Sequence, residues 1–359
     1  MNGIAAGVCV ALILCFSGDA MRAAGAAAEV FTRGVLPALF PMMVLNQLMA
    51  SSPNGEPFKG NRVRAVSGTI LFSFAAGSPA SSQRACGLLD TGAVAREGIA
   101  PLLAATGVMS PMFFVGTLSG WTGLAAGCWM MLLAHWAGAL AVGGLLAAAA
   151  RIRGRRSRGG LAKGAADKPP AGGAAAGNAG ARQSLLALLP GAVSSSAQAL
   201  LAVCGSMMLF SIVAGVLRAL LAAAFPAWTA ARAAQLAIVW ALLEIGGGSS
   251  AILAACPAPP LCLLCALCSF GGLSIWLQNL LFVGTRIRPA KLLLIRALHG
   301  VASYGLCYGA FRLFPGLAEA FAFMPAGGRL PWGPSPVMVA ALILLAVPWN
   351  RRRRFRASF

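Results

Sequence analysis

Charge is scarce in this sequence, and acidic charge scarcest of all. The 359 residues include 8 Asp+Glu against 28 Lys+Arg, with only two histidines and two tyrosines. Charged residues make up 10% of the chain, where a soluble globular domain carries about 25%, so there is too little charge to clothe a hydrated surface. The shortage also bears on chemistry. His135 and His299 each stand in an apolar stretch without an H-x-x-H or Cys/His spacing, which favours hydrogen-bonded packing over metal ligation, and no metal site is expected. There is no G-x-S-x-G elbow and no Walker A loop, and serine hydrolysis would need a paired base that the chain does not advertise. No catalytic residue emerges, and the chain does not read as an enzyme. Ten cysteines lie mostly inside apolar runs; Cys262, Cys265 and Cys268 form a C-x-x-C-x-x-C run in PLCLLCALCSF, but without polar support they read as small buried hydrophobes.

What the chain has in abundance is apolar length. Hydrophobic residues account for 59%, and crossing about 30 Å of hydrocarbon takes about 20 apolar residues in a helix. Spans are predicted near 3–17, 30–52, 98–119, 125–149, 197–222, 260–283, 290–312 and 335–349, with the lipid bilayer as the principal partner. The first apolar segment has no Lys or Arg ahead of it, which favours a retained span over a signal peptide. The net charge of +20 gathers in short clusters between apolar runs. That is the pattern of cytoplasmic loops rather than of a basic face for nucleic acid, so no nucleic-acid partner is expected.

The chain divides into a first membrane repeat over 1–150, a basic Gly/Ala-rich cytoplasmic loop over 151–183, a second membrane repeat over 184–350 and a basic tail over 351–359. Two apolar stretches do not fit as spans: 65–89, interrupted at Gly77-Ser78-Pro79, and 233–256, interrupted at Gly246-Gly247-Gly248-Ser249-Ser250. Each arm is about 12 residues, or about 18 Å of helix, which reaches the bilayer midplane and stops. Read as re-entrant hairpins, they put the clusters Lys59/Arg62/Arg64, Arg151–Arg158, Arg286/Arg288/Lys291 and the C-terminal arginines on one side; read as full spans, they put the two central clusters on opposite sides. The expectation is therefore an all-α polytopic membrane protein of about eight transmembrane helices plus two re-entrant hairpins, with both termini inside. Breaks in mid-span near Thr106–Pro111 and Phe270–Ile275 follow the two hairpins at matched offsets. Matched interruptions in oppositely inserted halves are the pattern of inverted-repeat transporters and point to the binding site.

The candidate substrate-binding residues are those at the breaks. Ser78-Pro79 and Ser110-Pro111 pair an N-cap residue with a residue favoured at the first helical position, which would start helices inside the membrane and aim their N–H groups at an anion. Gly77, Ser81, Ser82 and Ser274 lie beside them, as do Gly248 and Ser249 in the second tip; the serines could equally satisfy backbone at a kink. Glu244 is an intramembrane carboxylate, and so a functional candidate. It would bind a coupling cation, carry a proton, bond a substrate or cap the hairpin tip. Arg84, next to Gln83, would attract an anionic substrate, pair with Glu244 or Asp90, or snorkel. Gln278 and Asn279 follow the second break by about one turn and are placed to line the same cavity, while Asn46 and Gln47 are candidates for polar glue between helices. No cofactor is expected beyond a coupling Na+ or H+, and the oligomeric state is left open between a monomer and a homo-oligomer.

These segments resemble the YlbJ-type sporulation integral membrane proteins, which carry two nucleoside-recognition (Gate) domains. The resemblance covers most of the chain outside the central loop. It rests on LPALFP at Leu36–Pro41, Gly77-Ser78-Pro79, Ser110-Pro111-Met112-Phe113, Glu244-Ile245 with Gly248, and SFGGLS at Ser269–Ser274 with Gln278. The chain departs from the family at Ser81 and Gln83, which stand where Gly and Lys are common, and at Gly107, where asparagine is usual. The family is similar in architecture to concentrative nucleoside transporters and is linked to moving dipicolinate into the developing spore across the outer forespore membrane. The resemblance thus implies a transporter of a small spore-bound anion in the membrane of a spore-forming bacterium. The residues alone do not choose dipicolinate over a nucleoside, and a non-transporting scaffold for spore envelope assembly is the alternative.

Overall fold

A computed structural model describes residues 2–51, 62–158, 185–256, 258 and 260–313. Among these there is no strand, and helices follow one another with few connecting residues. The first half comprises α1 (Asn2–Cys15), α2 (Ser17–Val30), a π-helical turn over Phe31–Val35, α3 (Leu36–Ser51), α4 (Arg62–Ala76), α5 (Ala80–Asp90), α6 (Ile99–Thr106), a second π-helical stretch over Met112–Leu118, α7 (Ser119–Thr122) and α8 (Ala125–Arg158). The second comprises α9 (Leu185–Ala224), α10 (Pro226–Ala231), α11 (Ala233–Leu243), α12 (Ile245–Ala255), α13 (Leu261–Phe270), α14 (Gly272–Val283) and α15 (Pro289–Leu313).

Among the described residues, length and apolarity single out three helices able to cross a membrane, Ala125–Arg153, Leu186–Ala224 and Leu261–Arg286, or four if the pair Ala6–Cys15 and Ser17–Val35, bent by 91°, counts as one. That is fewer than the eight spans expected from hydropathy. The stretch 98–119 is cut short because α6 stops at Thr106. The 25-residue α15 carries Lys291, Arg296 and Arg312, and the span expected at 335–349 lies outside the described residues, as do most of the central loop and the basic tail. The long helices look outward in a way that water would not favour: Leu145 on α8, Leu201 on α9 and Val301 on α15 are each at least 71% exposed. Large apolar side chains facing out along apolar helices are what lipid contact requires.

Inside, three apolar clusters hold the helices together. One packs Phe114, Leu118, Met131 and Leu132 against Leu264, Cys265, Cys268 and Cys307. The second joins α5 and α6 to α14 and α15 through Leu88, Leu103, Val283, Leu292 and Ile295. The third sets Phe31, Leu39, Met43 and Phe72 against Leu200, Val203 and Met207 of α9. The C-x-x-C-x-x-C residues belong to this packing. The Cys265 thiol donates to the Met131 carbonyl at 3.4 Å, and no group of three His, Cys, Asp or Glu side chains placed to hold a metal ion is found among the described residues.

Small residues let the backbones approach, as membrane helix interfaces generally require. A Cβ at Gly143 of α8 would lie 2.7 Å from the Cβ of Ala105, and one at Gly248 of α12 would lie 2.1 Å from the Cα of Ala241 on α11. The second contact clamps the arms of the 233–256 hairpin together. A Gly248→Leu variant is expected to lose at least about 2 kcal/mol through overpacking, measured as a lower unfolding midpoint of the detergent-purified protein; an unchanged midpoint would refute the contact.

Candidate functional site

Both stretches expected as hairpins fold as pairs of short helices, and each tip rests on a break in the helix that follows. In the first, α4 ends at Ala76 and α5 begins at Ala80, across a cis Ser78–Pro79 peptide. Gly77 turns the chain at φ +72°, and a Cβ there would lie 2.5 Å from the backbone nitrogen of Ser110. Only glycine admits both the conformation and the approach. The Ser78 N–H donates to the Val108 carbonyl at 2.6 Å, pinning the tip to the non-helical residues 107–110. In the second hairpin the turn comes earlier than the glycine run suggested. Glu244 is the extended residue between α11 and α12 (φ −141°, ψ 119°), and Gly246 to Gly248 lie within the first turn of α12. That tip sits against the break at Gly271-Gly272: a Cβ on Gly272 would lie 3.1 Å from the Ala241 carbonyl and 3.2 Å from that of Leu243.

The expected serine caps are realised at only one of the two breaks. The residue capping α5 is Pro79, with no side-chain cap, and the Ser78 hydroxyl finds no partner among the described residues. At the other break the Ser110 hydroxyl accepts from the Met112 N–H at 3.3 Å. Glu244 provides the strongest cap: its Oε1 accepts from Gly246 N–H at 2.8 Å and its Oε2 from Gly247 N–H at 2.6 Å. A carboxylate so placed satisfies two orphan donors of α12 and complements its dipole. Each oxygen keeps a further lone pair for a cation or a hydrogen-bond donor.

Ser82 and Arg84 belong to a separate polar cluster along α5. The buried Ser82 hydroxyl donates to Asn279 Oδ1 at 2.5 Å, and Asn279 Nδ2 donates to the Ile275 carbonyl at 2.7 Å. Arg84 is buried with its guanidinium over the Phe72 ring at 5.3 Å and Nη1 3.5 Å from Asn46 Oδ1, while Asn46 Nδ2 donates to Gln83 Oε1 at 3.1 Å. Arg84 and Glu244 do not pair; Glu244 is held by its own helix, and Asp90 is gripped by Arg286 through bonds of 2.9 and 2.6 Å. Ser81 is fully buried, and its hydroxyl finds no partner among the described residues. Gln278 Nε2 donates to the Ser274 hydroxyl at 3.2 Å within α14, and Ser249 is buried on α12.

A cavity of about 300 Å3 opens in front of Glu244, bounded by α2, α9 and the second hairpin. Its wall includes Trp121, Arg218, Trp240, Gly247 and Ser250, with the Arg218 guanidinium over the Trp240 ring at 5.6 Å. Of the sequence-derived candidates, Glu244 and Gly248 line this cavity, whereas Ser82, Arg84, Ser274 and Gln278 lie elsewhere. Arg218 and the two tryptophans were not anticipated, since each looked like an ordinary residue of a helical stretch.

A third polar centre also went unrecognised. Arg296 on α15 is 2% exposed. Its Nε donates to the Phe270 carbonyl at 2.9 Å, and its Nη1 donates to the Gly107 carbonyl. Beside it the His135 ring accepts from Met109 N–H at 2.8 Å through Nε2 and meets the Ser269 hydroxyl at 2.7 Å through Nδ1. His299 Nε2 lies 2.8 Å from the His135 carbonyl. One side chain thus joins both helix breaks, and a lone arginine within LLLIRALHG was the signal that could have found it. No protein-family model, curated protein or solved structure matches the chain.

The Ser82–Asn279 bond ties α5 to α14 across the two halves. A double-mutant cycle with Ser82→Ala and Asn279→Ala is expected to give a coupling of about 1 kcal/mol, within the range for bonds between membrane helices. Reversible unfolding in mixed micelles measures it, and strict additivity would remove the link.

Proposed function

We propose that the chain is a secondary transporter of a small anionic or nucleoside-like metabolite, built as an inverted repeat of about eight spans and two re-entrant hairpins. The observation that carries the reading is the paired construction of the two halves. In each, a hairpin of helices too short to cross a bilayer sets its tip on a break in the helix that follows. The offset also recurs: Gly107 and Gly271, at the two breaks, and His135 and His299, on the helices behind them, are each 164 residues apart. Broken helices at matched positions, with cavities beside them, are the arrangement on which alternating access operates.

The cavity at Glu244 is the proposed substrate site. Trp121 and Trp240 offer aromatic surface and Arg218 a cation for an acidic group, while Glu244 would accept from a hydroxyl or ammonium, or take the coupling ion. Dipicolinate is the substrate suggested by the resemblance to YlbJ-type sporulation proteins, and the outer forespore membrane is the corresponding location.

Purified protein in liposomes is expected to accumulate either dipicolinate or a nucleoside under an imposed sodium or proton gradient. Glu244→Gln should slow that uptake about tenfold or more at equal protein level, as expected for loss of a hydrogen bond to a charged group. Liposomes that move neither compound under either gradient, together with silent substitutions at Glu244 and Arg218, would instead favour the scaffold for envelope assembly.

A further inference from the structure

The junction where the two broken helices meet contains a positive charge that the transport reading leaves unused. α6 ends at Thr106 and α13 at Phe270, and the carbonyls of Gly107 and Phe270 at those ends converge on one side chain, Arg296. A helix C-terminus carries unsatisfied carbonyls and the equivalent of roughly half a negative charge, so two of them together make a site for one monovalent cation. In inverted-repeat transporters, unwound carbonyls and half-helix C-terminal ends are the groups that coordinate a coupling ion. Here the place is filled from within the chain. Arg296 donates to Gly107 O with Nη1 and to Phe270 O with Nε, and it makes no salt bridge among the described residues. Its Nη2 has no hydrogen-bond partner among them either.

Both breaks are shaped around this guanidinium. A Cβ at Gly107 would lie 3.0 Å from Nη1, and a Cβ at Gly271 would lie 2.5 Å from Nη2. The two glycines at equivalent places in the repeats are therefore the two that make room for a single side chain. No counterpart is needed on α8, where Leu132 stands 164 residues before Arg296. One cation serves both helix ends.

We propose that Arg296 is a tethered cation occupying the junction that a mobile coupling ion would otherwise fill, so that this junction needs no sodium, and that truncating the side chain converts it into a binding site for a small free cation. The proposal deepens the transporter reading and rests on its two broken helices, but its test requires no transport, so the two can fail separately.

The test is thermal unfolding of the full-length protein in detergent, in choline chloride, in sodium chloride, and in choline chloride with added millimolar guanidinium chloride. Guanidinium should leave the wild-type midpoint unchanged, and any shift from sodium, through a coupling ion at Glu244, should be smaller than that of Arg296→Ala. Arg296→Ala should melt lower in choline, and sodium or guanidinium should restore at least about 3 °C, the size expected for a ligand that binds only the folded state. An Arg296→Ala midpoint equal in all three solutions would overturn the proposal, as would a wild type that sodium and guanidinium stabilise as much as they do Arg296→Ala. If Arg296→Ala does not yield folded protein, Arg296→Lys and Arg296→Met decide. The lysine variant should elute as a single species and the uncharged methionine variant should not; equal behaviour of the two would sink the idea.

Discussion

Helices that stop inside an apolar protein leave carbonyls without partners, and neither lipid nor apolar side chains can supply them. This chain stops two such helices at one place and satisfies both ends with Arg296. Its guanidinium is planar and carries several donors in a fixed array, so it can bond Phe270 and Gly107 at once where a hydroxyl would serve one. The surrounding structure follows from that choice. Gly107 and Gly271 leave room for the group, and His135 closes the first break by accepting from Met109 while reaching Ser269 at the end of α13.

The same demand for satisfied backbone explains the hairpin tips. The first is held by a bond from Ser78 to Val108, the second by a carboxylate that caps its own helix. Both depend on close approach: Gly77 against Ser110, and Gly248 against Ala241. Between the tips the polar side chains separate into an uncharged and cationic group along α5 and an open cavity at Glu244. In the proposed transporter the cavity would hold the substrate, and the bonds of α5 to α3 and α14 would brace one repeat against the other.

Much of this was legible in the residues. Scarce charge and apolar length indicated helices for a lipid environment, and Gly77-Ser78-Pro79, Gly107 and Gly271 marked where helices stop, because glycine and proline act on the local backbone whatever surrounds them. The breaks at Glu244 and Ser78 were read less well. A run of three glycines looked like the turn, yet a carboxylate able to cap the following N–H groups placed the turn two residues earlier. Ser78 had the right chemistry for a cap, but the helix begins one residue later, after Pro79, and the Ser78 N–H instead reaches Val108, more than 25 residues away in sequence. Fewer spans are seen among the described residues than hydropathy suggested, in part because a window average does not register that α6 ends at Thr106.

By itself, then, the sequence determined the helical class, the apolar character of the outer surface and the positions of the breaks, since each depends on composition or on a few neighbouring residues. Only the tertiary structure decided which polar groups meet. Ser82 reaches Asn279, Arg84 reaches Asn46 rather than Glu244, and Arg296 spans from Gly107 to Phe270. Those partners are set by how helices distant in sequence cross, and hydrogen bonds of such short reach carry no trace in local pattern. The lone arginine in an apolar helix was visible from the start; that two helices end on it was not.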